Sequence, residues 1–391
     1  MKCFEDLQWR GLVKDISSPE LERKLNEESL TFYIGTDPTA DSMHIGHFSS
    51  FLIATRLAKY GHKPVLLVGG ATGLIGDPKP TSERAMITRE QVEHNVEGLT
   101  KQAKDIFGFE VVNNYDWIKD ISTIDFLRDY GKYINVNYML DKDIIARRLD
   151  SGITFCEFAY TILQGLDFLH LYHDKDVTLQ VAGSDQWGNI TTGIELARKK
   201  DNVELFGMTM PLVVDANGVK FGKTEGNALW LDKNKTSSYE LYQFLINADD
   251  RSVIDYLKKL TFLTKEEIEE IEKEHNAAPE KRLAQKVLAR EVITFLHGAE
   301  EAEAAKVKSE ALFGGSTEDL EATPISPESR NILDIMMAAN LIPSKSEGRR
   351  LVEQGGVSID DEKITDPKAE VTKDEFVLHK GKKVVVKLII K

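Results

Sequence analysis

Cysteine is almost absent: Cys3 and Cys156 are the only two in 391 residues. Two thiols cannot build a disulfide framework or fill a zinc site, and they suit a reducing compartment, so the expected location is the cytoplasm. Long apolar runs are missing as well. No stretch approaches the roughly 20 residues that a membrane-spanning helix needs, and Met1–Arg10 lacks the apolar segment of a secretory leader. There is no internal repeat and no low-complexity tract. Positive charge is in deficit too. The formal net charge of −14 argues against indiscriminate binding to nucleic acid, but it is unevenly spread. Residues 328–391 carry 12 Lys and Arg against 11 Asp and Glu, so the acidity lies in the preceding body. Such a tail with clustered lysines can touch a phosphate backbone locally, or it can simply be solvated.

What is present is an ordinary globular composition, 41% apolar and 29% charged, with length enough for two or three domains. The first half alternates β-rich runs (Thr31–Gly35, Pro64–Val68, Glu110–Asn113, Val177–Val181, Thr209–Val214) with helical spacing over Ile45–Lys59, Thr88–Phe107, Phe155–Tyr172 and Gln186–Lys200. Alternation of this kind predicts an α/β class with a doubly wound, Rossmann-like parallel sheet over 1–236, whose ligands sit beyond the carboxyl ends of the strands. Residues 237–312, rich in Glu, Lys, Ala and Leu and with a cap at Thr264, predict a small α-helical domain. Residues 313–327, with two glycines and two prolines, read as a linker. The segment 328–391 combines two helical stretches, Arg330–Ala339 and Lys345–Gln354, with short β pieces, and so predicts a small α+β domain.

Two local patterns carry chemistry. Asp37-Pro38-Thr39-Ala40-Asp41-Ser42-Met43-His44-Ile45-Gly46-His47 follows a strand and opens a helix. Asp41 or Ser42 can cap that helix, leaving backbone N–H groups and a positive dipole end where an anion would bind. His44 and His47 are three apart and share a face, and Gly46 leaves room for a ligand. The pair could donate to triphosphate oxygens; the same spacing could serve a metal, although no third ligand lies nearby. The other pattern is Lys220-Phe221-Gly222-Lys223-Thr224. Gly218 precedes Gly222 at one residue short of phosphate-binding-loop spacing, and the segment follows a late strand, so a P-loop is excluded. A glycine-bearing loop with two lysines remains, able to close over a triphosphate and stabilise charge on leaving pyrophosphate.

An HIGH tetrapeptide after the first strand, joined to a KFGKT loop after the last, resembles the class I aminoacyl-tRNA synthetases. Further segments resemble the tyrosine-specific branch: Tyr33-Ile34-Gly35, Gly69–Pro78, Tyr160–Asp167 and Gly183–Asn189. The resemblance implies that His44 and His47, with Thr39 beside them, stabilise phosphate, while Lys220, Lys223 and Thr224 serve the pyrophosphate end. ATP is then a substrate accompanied by Mg2+, with no permanently bound cofactor and no metal site of the protein's own. Tyr160, Gln164 and Asp167 fall at i, i+4 and i+7, one helical face. Such a polar stripe is costly if buried without partners, and a polar ligand would satisfy it; an exposed stripe is the alternative. Discrimination of tyrosine from phenylalanine needs groups left unpaired by the wrong substrate, a rule for which tyrosyl enzymes of this class are themselves a known illustration. Tyr33 and Asp167 are assigned to the phenol, and Tyr160, Gln164 and Asp77 to the ammonium group. Gln186 is assigned to the carboxylate, Asp185 and Gly183 to the ribose, and Gly35 and Gly46 to close approach of ATP. Leu166 stands where relatives often carry an aromatic residue, and the segment after Asp77 is short, which leaves Lys79 and Arg84 as candidate phosphate or tRNA contacts.

The region 237–312 resembles the family's anticodon-side helical domain. Residues 342–359 resemble an S4-type RNA-binding domain, in which Lys345, Arg349, Arg350 and Lys363 would contact the tRNA backbone. The resemblance further implies tRNA(Tyr) as partner and a homodimer. The apolar run Tyr130–Leu140 is either its interface or core. Three rivals remain: a small-molecule nucleotidyltransferase, a tryptophan-activating relative and a non-catalytic RNA-binding paralogue. The first has no need of an RNA-binding module, the second no use for Tyr33 with Asp167, and the third no reason to keep His44, His47 and the loop lysines.

Overall fold

The computed structural model describes residues 1–77, 86–150, 152–216, 218–219, 221–222, 228–312, 320, 322–360, 362–381 and 384–391. The chain divides into two units, Met1–Thr236 with Ala248–Ala284, and Ser237–Asn247 with Gln285–Lys391. Helices between 237 and 312 contribute to both.

In the first unit the strands are β1 (Asp15–Ile16), β2 (Thr31–Thr36), β3 (Lys63–Val68), β4 (Glu110–Asn113), β5 (Val177–Gly183) and β6 (Phe206–Met210). They form one sheet in the order β1-β6-β5-β2-β3-β4. All neighbours are parallel except β1, which closes the edge antiparallel to β6. The doubly wound sheet is as expected, with one correction. The last parallel strand is Phe206–Met210, not Thr209–Val214. Pro211 has no N–H to donate and ends the ladder, while every residue from 206 to 210 is buried.

Both faces of the central strands are covered, which is why they read as continuous apolar runs. Tyr33, Val65 and Leu67 pack with Phe168, Leu169 and Leu196 on one face. By alternation Phe32, Ile34, Leu66 and Val68, all nearly inaccessible, line the other. Each such side chain contributes about 1.5–3 kcal/mol of burial. The flanking helices are α1 (Ile45–Lys59), α2 (Arg89–Gln102), α3 (Phe155–Lys175) and α4 (Trp187–Asp201). Thr88 caps α2, which widens into a π-helical turn over Ala103–Phe107. Thr154 and Glu157 cap α3 reciprocally. The helices α3 and α4 meet through glycines: a Cβ on Gly165 would lie 3.3 Å from Gly193 Cα.

In the second unit Ser238–Ile246 packs on Ala299–Leu312, joined by Gln243 Nε2 donating to Ser309 Oγ at 2.8 Å. Its sheet holds β7 (Ala322–Ile325), β8 (Val357–Ile359), β9 (Glu362–Ile364), β10 (Glu375–Lys380) and β11 (Val384–Ile390) in the order β7-β11-β10-β8-β9. The stretch that composition reads as a linker thus includes β7, which pairs parallel with Lys387–Ile390. Helices α5 (Ile332–Ala338) and α6 (Lys345–Glu353) cover this sheet, sharing a core around Ile335, Met336, Val352 and Leu378. Among the described residues no helix is long and apolar enough to cross a membrane.

Candidate active site

The loop after β2 feeds α1, and the cap of α1 is His44, not Asp41 or Ser42. His44 is extended at φ −117°, ψ 171°, and its Nδ1 accepts from Gly46 N at 3.1 Å. His47 Nδ1 in turn accepts from His44 N at 3.1 Å. Asp41 is instead paired with Lys235, and the Ser42 hydroxyl donates to Met43 O. The two rings lie 3.9 Å apart. Because each Nδ1 is an acceptor, each neutral ring carries its proton on Nε2, the donor it can offer a ligand. Desolvation, and then the neighbouring His44, lowers the pKa of His47 from 6.5 to about 3. His47 is thereby held as a neutral ring at neutral pH. Gly46 is required for a reason beyond ligand access: a Cβ there would sit 2.9 Å from the His44 ring.

The late loop reaches the same helix end. Phe221 is buried against Tyr256, ring centroids 4.8 Å apart, and its N–H bonds Val213 O. Gly222 follows at φ +81°, and a Cβ there would fall 1.9 Å from Ile45 Cγ2. Downstream, Ile45 N donates to Leu229 O and Leu231 N to Met43 O, each at 2.8 Å, on either side of a bridge between His44 and Trp230. Gly222 and the segment 229–231 are thereby held against the start of α1. Lys220, Lys223 and Thr224 lie outside the described residues, as do Lys79 and Arg84.

Beside this end lies a buried polar slot. Tyr33 on β2 is 1% exposed, and its hydroxyl has no hydrogen-bond partner among the described residues. Burial, and then the Asp167 carboxylate, raises its pKa well above 10. Asp167 on α3 accepts from Asn114 Nδ2 and Trp117 Nε1, each at 2.9 Å. Desolvation still dominates over those bonds and raises the carboxyl to about 7. Further along α3, the Tyr160 hydroxyl donates to Asp37 Oδ2 at 3.0 Å, and Asp37 Oδ1 accepts from Thr72 at 2.8 Å. Gln164 is half-buried between them in sequence. Gly69 lets this loop close, because a Cβ would meet Asp37 Oδ1 at 2.2 Å.

Across from α3, Asp77 accepts from Gln186 Nε2 at 3.1 Å, and Asn189 Nδ2 donates to Gln186 Oε1 at 2.9 Å. Gly183 ends β5 and Asp185 is exposed in the turn that follows, while Gly35 within β2 and Thr39 after it are exposed. Sequence reading missed Asp37, Asn114, Trp117 and Asn189. It also missed Gln180, buried on β5 opposite Tyr33 with an Oε1 that has no hydrogen-bond partner among the described residues. The only signal for these was position, since Asp37 and Asn114 directly follow strands whose carboxyl ends form the crevice.

Residues 25–314 match the family model for class I tRNA synthetases (W and Y), and residues 313–387 match that for the tyrosine–tRNA ligase SYY-like C-terminal domain. A tyrosine–tRNA ligase of Limosilactobacillus reuteri is 47% identical over 99% of this chain and 97% of its own. The chain belongs to the tyrosine–tRNA ligase family of class I synthetases. A tyrosine–tRNA ligase 2 of Streptococcus thermophilus is 58% identical over 76% of this chain and 98% of its own. The crystal structure of a C-terminally truncated Aspergillus nidulans mitochondrial tyrosyl-tRNA synthetase superposes with a TM-score of 0.72, at 32% identity over 80% of this chain and 94% of that one. The chain is accordingly an enzyme of the ligase class, and synthetases of this class use ATP as a substrate.

In the second unit of this family member, Arg349, Arg350 and Lys363 are exposed. Lys345 is exposed too, yet it is ion-paired with Asp334 and lies 3.6 Å from Glu328. That pairing raises the Lys345 ammonium pKa and occupies part of the charge that an RNA phosphate would meet.

Proposed function

We propose that the slot takes L-tyrosine, and that its carboxylate attacks the α-phosphorus of ATP bound over the start of α1. The new P–O bond gives tyrosyl-adenylate, and pyrophosphate leaves with the electrons of the broken α–β bridge. A ribose hydroxyl at the 3′ end of tRNA(Tyr) then attacks the tyrosyl carbonyl and releases AMP. No covalent link to the protein is needed, so catalysis rests on positioning and electrostatics.

The observation that carries this reading is the Tyr33 hydroxyl, buried beside Asp167 without a partner among the described residues. A substrate phenol donating to Asp167 and accepting from Tyr33 would satisfy the Tyr33 hydroxyl and add a third bond to the carboxylate, whereas phenylalanine would leave the Tyr33 hydroxyl unmet. Asp37 and Asp77 supply negative charge for the ammonium group together with Tyr160 and Gln164, and Gln186 orients the carboxylate. His44 and His47 donate Nε2–H to phosphate oxygens, with Thr39 alongside. Lys220, Lys223 and Thr224 take the pyrophosphate end, and ATP enters as its Mg2+ complex. Gly35, Gly183 and Asp185 border the nucleoside, and Arg84 reaches the phosphates or the acceptor end.

Arg349, Arg350, Lys363 and, more weakly, Lys345 contact tRNA phosphates, with residues 1–236 catalytic, 237–312 on the anticodon side and 328–391 RNA-binding. The chain acts in the cytoplasm as a homodimer. Exposed Ile124, Leu127, Val136, Tyr138, Leu149 and Phe155 supply an apolar face for the second copy, while Tyr130 and Tyr133 pack inward. The test is ATP–pyrophosphate exchange against a panel of amino acids. Tyrosine should drive it; equal exchange with phenylalanine, or exchange with no amino acid, would overturn the reading.

A further inference from the structure

The loop that delivers His44 and His47 has no regular structure from Asp37 to Met43, so its backbone groups need partners elsewhere. One face of α2 provides them. Gln102 Oε1 accepts from Met43 N at 2.7 Å, and Gln102 Nε2 donates to Ser42 Oγ at 2.9 Å. Asn95, 2% exposed, donates through Nδ2 to Pro38 O at 2.8 Å and accepts from Gln91 at 2.9 Å. Between them Gly98 lets the helix backbone touch the loop, because a Cβ there would lie 2.1 Å from Asp41 O. Positions 91, 95, 98 and 102 fall on one helical stripe. The π-helical turn begins immediately after Gln102. It carries Phe107 against Phe51, at 5.5 Å between ring centroids, and Phe51 stacks on His47 at 6.1 Å. Widened turns of this kind recur beside functional sites.

We propose that Gln102, assisted by Asn95, is a positioning residue for the ATP-activating step. It touches no reacting atom. By fixing Ser42 and Met43 it sets where His44 begins α1, and so where both Nε2–H donors meet the phosphates. The amino-acid slot is built by other contacts, on α3 and the segments 69–77 and 113–117; its one member on this loop, Asp37, is held by Tyr160 and Thr72 and is not bonded to Gln102. The inference rests on the tyrosine-activation reading above, and wild-type exchange tests that reading separately.

The experiment uses the full chain. Gln102→Met keeps length and removes both hydrogen bonds; Gln102→Glu keeps the acceptor for Met43 N and can accept from the Ser42 hydroxyl. In Gln102→Met, kcat for tyrosine-dependent pyrophosphate exchange should fall about 10- to 100-fold, since small displacements of reacting groups are that costly. Tyrosine Kd by equilibrium dialysis should stay within about twofold, and Gln102→Glu should recover most of kcat. Ser42→Ala, which removes the acceptor of Gln102 Nε2 and leaves the Asn95–Pro38 bond beside Asp37 intact, is the second variant should Gln102→Met not fold, and it should show the same split. A kcat within about twofold of wild type in the folded variant, or a parallel loss of tyrosine affinity, overturns the proposal.

Discussion

The His44 and His47 rings lie 3.9 Å apart between centroids, tilted by 34°, with both Nδ1 atoms held by backbone N–H groups. A proton on His47 would break the cap, and this links acid stability to the site. The folded pKa, about 3, lies below the ordinary 6.5, so between those values the unfolded chain binds more protons. Stability from this group is full above pH 6.5 and is lost as pH falls toward 3. Urea unfolding from pH 7 to 4 should show that decline, and His47→Gln should flatten part of it.

Tyr33→Phe separates function from folding. Deleting a buried hydroxyl that has no partner should leave stability unchanged or raise it by about 1 kcal/mol. The same change should reduce the preference for tyrosine over phenylalanine about tenfold in pyrophosphate exchange, since one hydrogen bond to the phenol is lost. Destabilisation by Tyr33→Phe would mean that the hydroxyl has a structural partner after all.

Asp167 gives the opposite pH slope from His47. Its folded pKa, about 7 against an ordinary 3.8, means that its contribution to stability is full below 3.8 and lost as pH rises through 7. Tyrosine binding should work the other way. The ionised carboxylate accepts the phenol proton, so affinity measured by equilibrium dialysis should rise as pH is raised toward 7, and Asp167→Asn should remove that dependence.

Gly222→Ala should uncouple the two motifs. The residue sits at φ +81°, and its Cβ would strike Ile45. Exchange kcat is expected to drop at least about tenfold while tyrosine Kd stays within about twofold. Equal effects on both would place the loop nearer the amino-acid slot than to ATP.

In the second unit, filter binding of tRNA should weaken more for Arg349→Ala or Arg350→Ala than for Lys345→Ala. Asp334 already neutralises Lys345, whereas the arginines are exposed. Each lost phosphate contact should also shallow the salt dependence by about one counterion.

The sheet and α1 were legible because buried parallel strands read as unbroken apolar runs and α1 repeats its apolar positions at helical spacing. The cap was not. Histidine is not among the usual N-caps, so the rule pointed to Asp41 and Ser42. Two-residue β1 is too short to leave a pattern, and Pro324 hid β7, which tolerates proline because it lies at a sheet edge. Tyr160, Gln164 and Asp167 were legible as polar groups amid apolar ones, and Tyr33 through the resemblance carried by Tyr33-Ile34-Gly35. Asn114, Trp117 and Asp37 were not, because only the folded sheet brings turns dozens of residues apart onto the same carboxylates.

The glycine contact between α3 and α4 has a consequence for amino-acid choice. Tyr160, Gln164 and Asp167 ride on one of these helices, while Asn189 sits on the other with Gln186 just before it. With the helix backbones touching at Gly165 and Gly193, the two walls of the proposed slot are held at a set spacing. A methyl group at either glycine would act as a wedge, altering which side chain the enzyme admits without changing any atom that meets it.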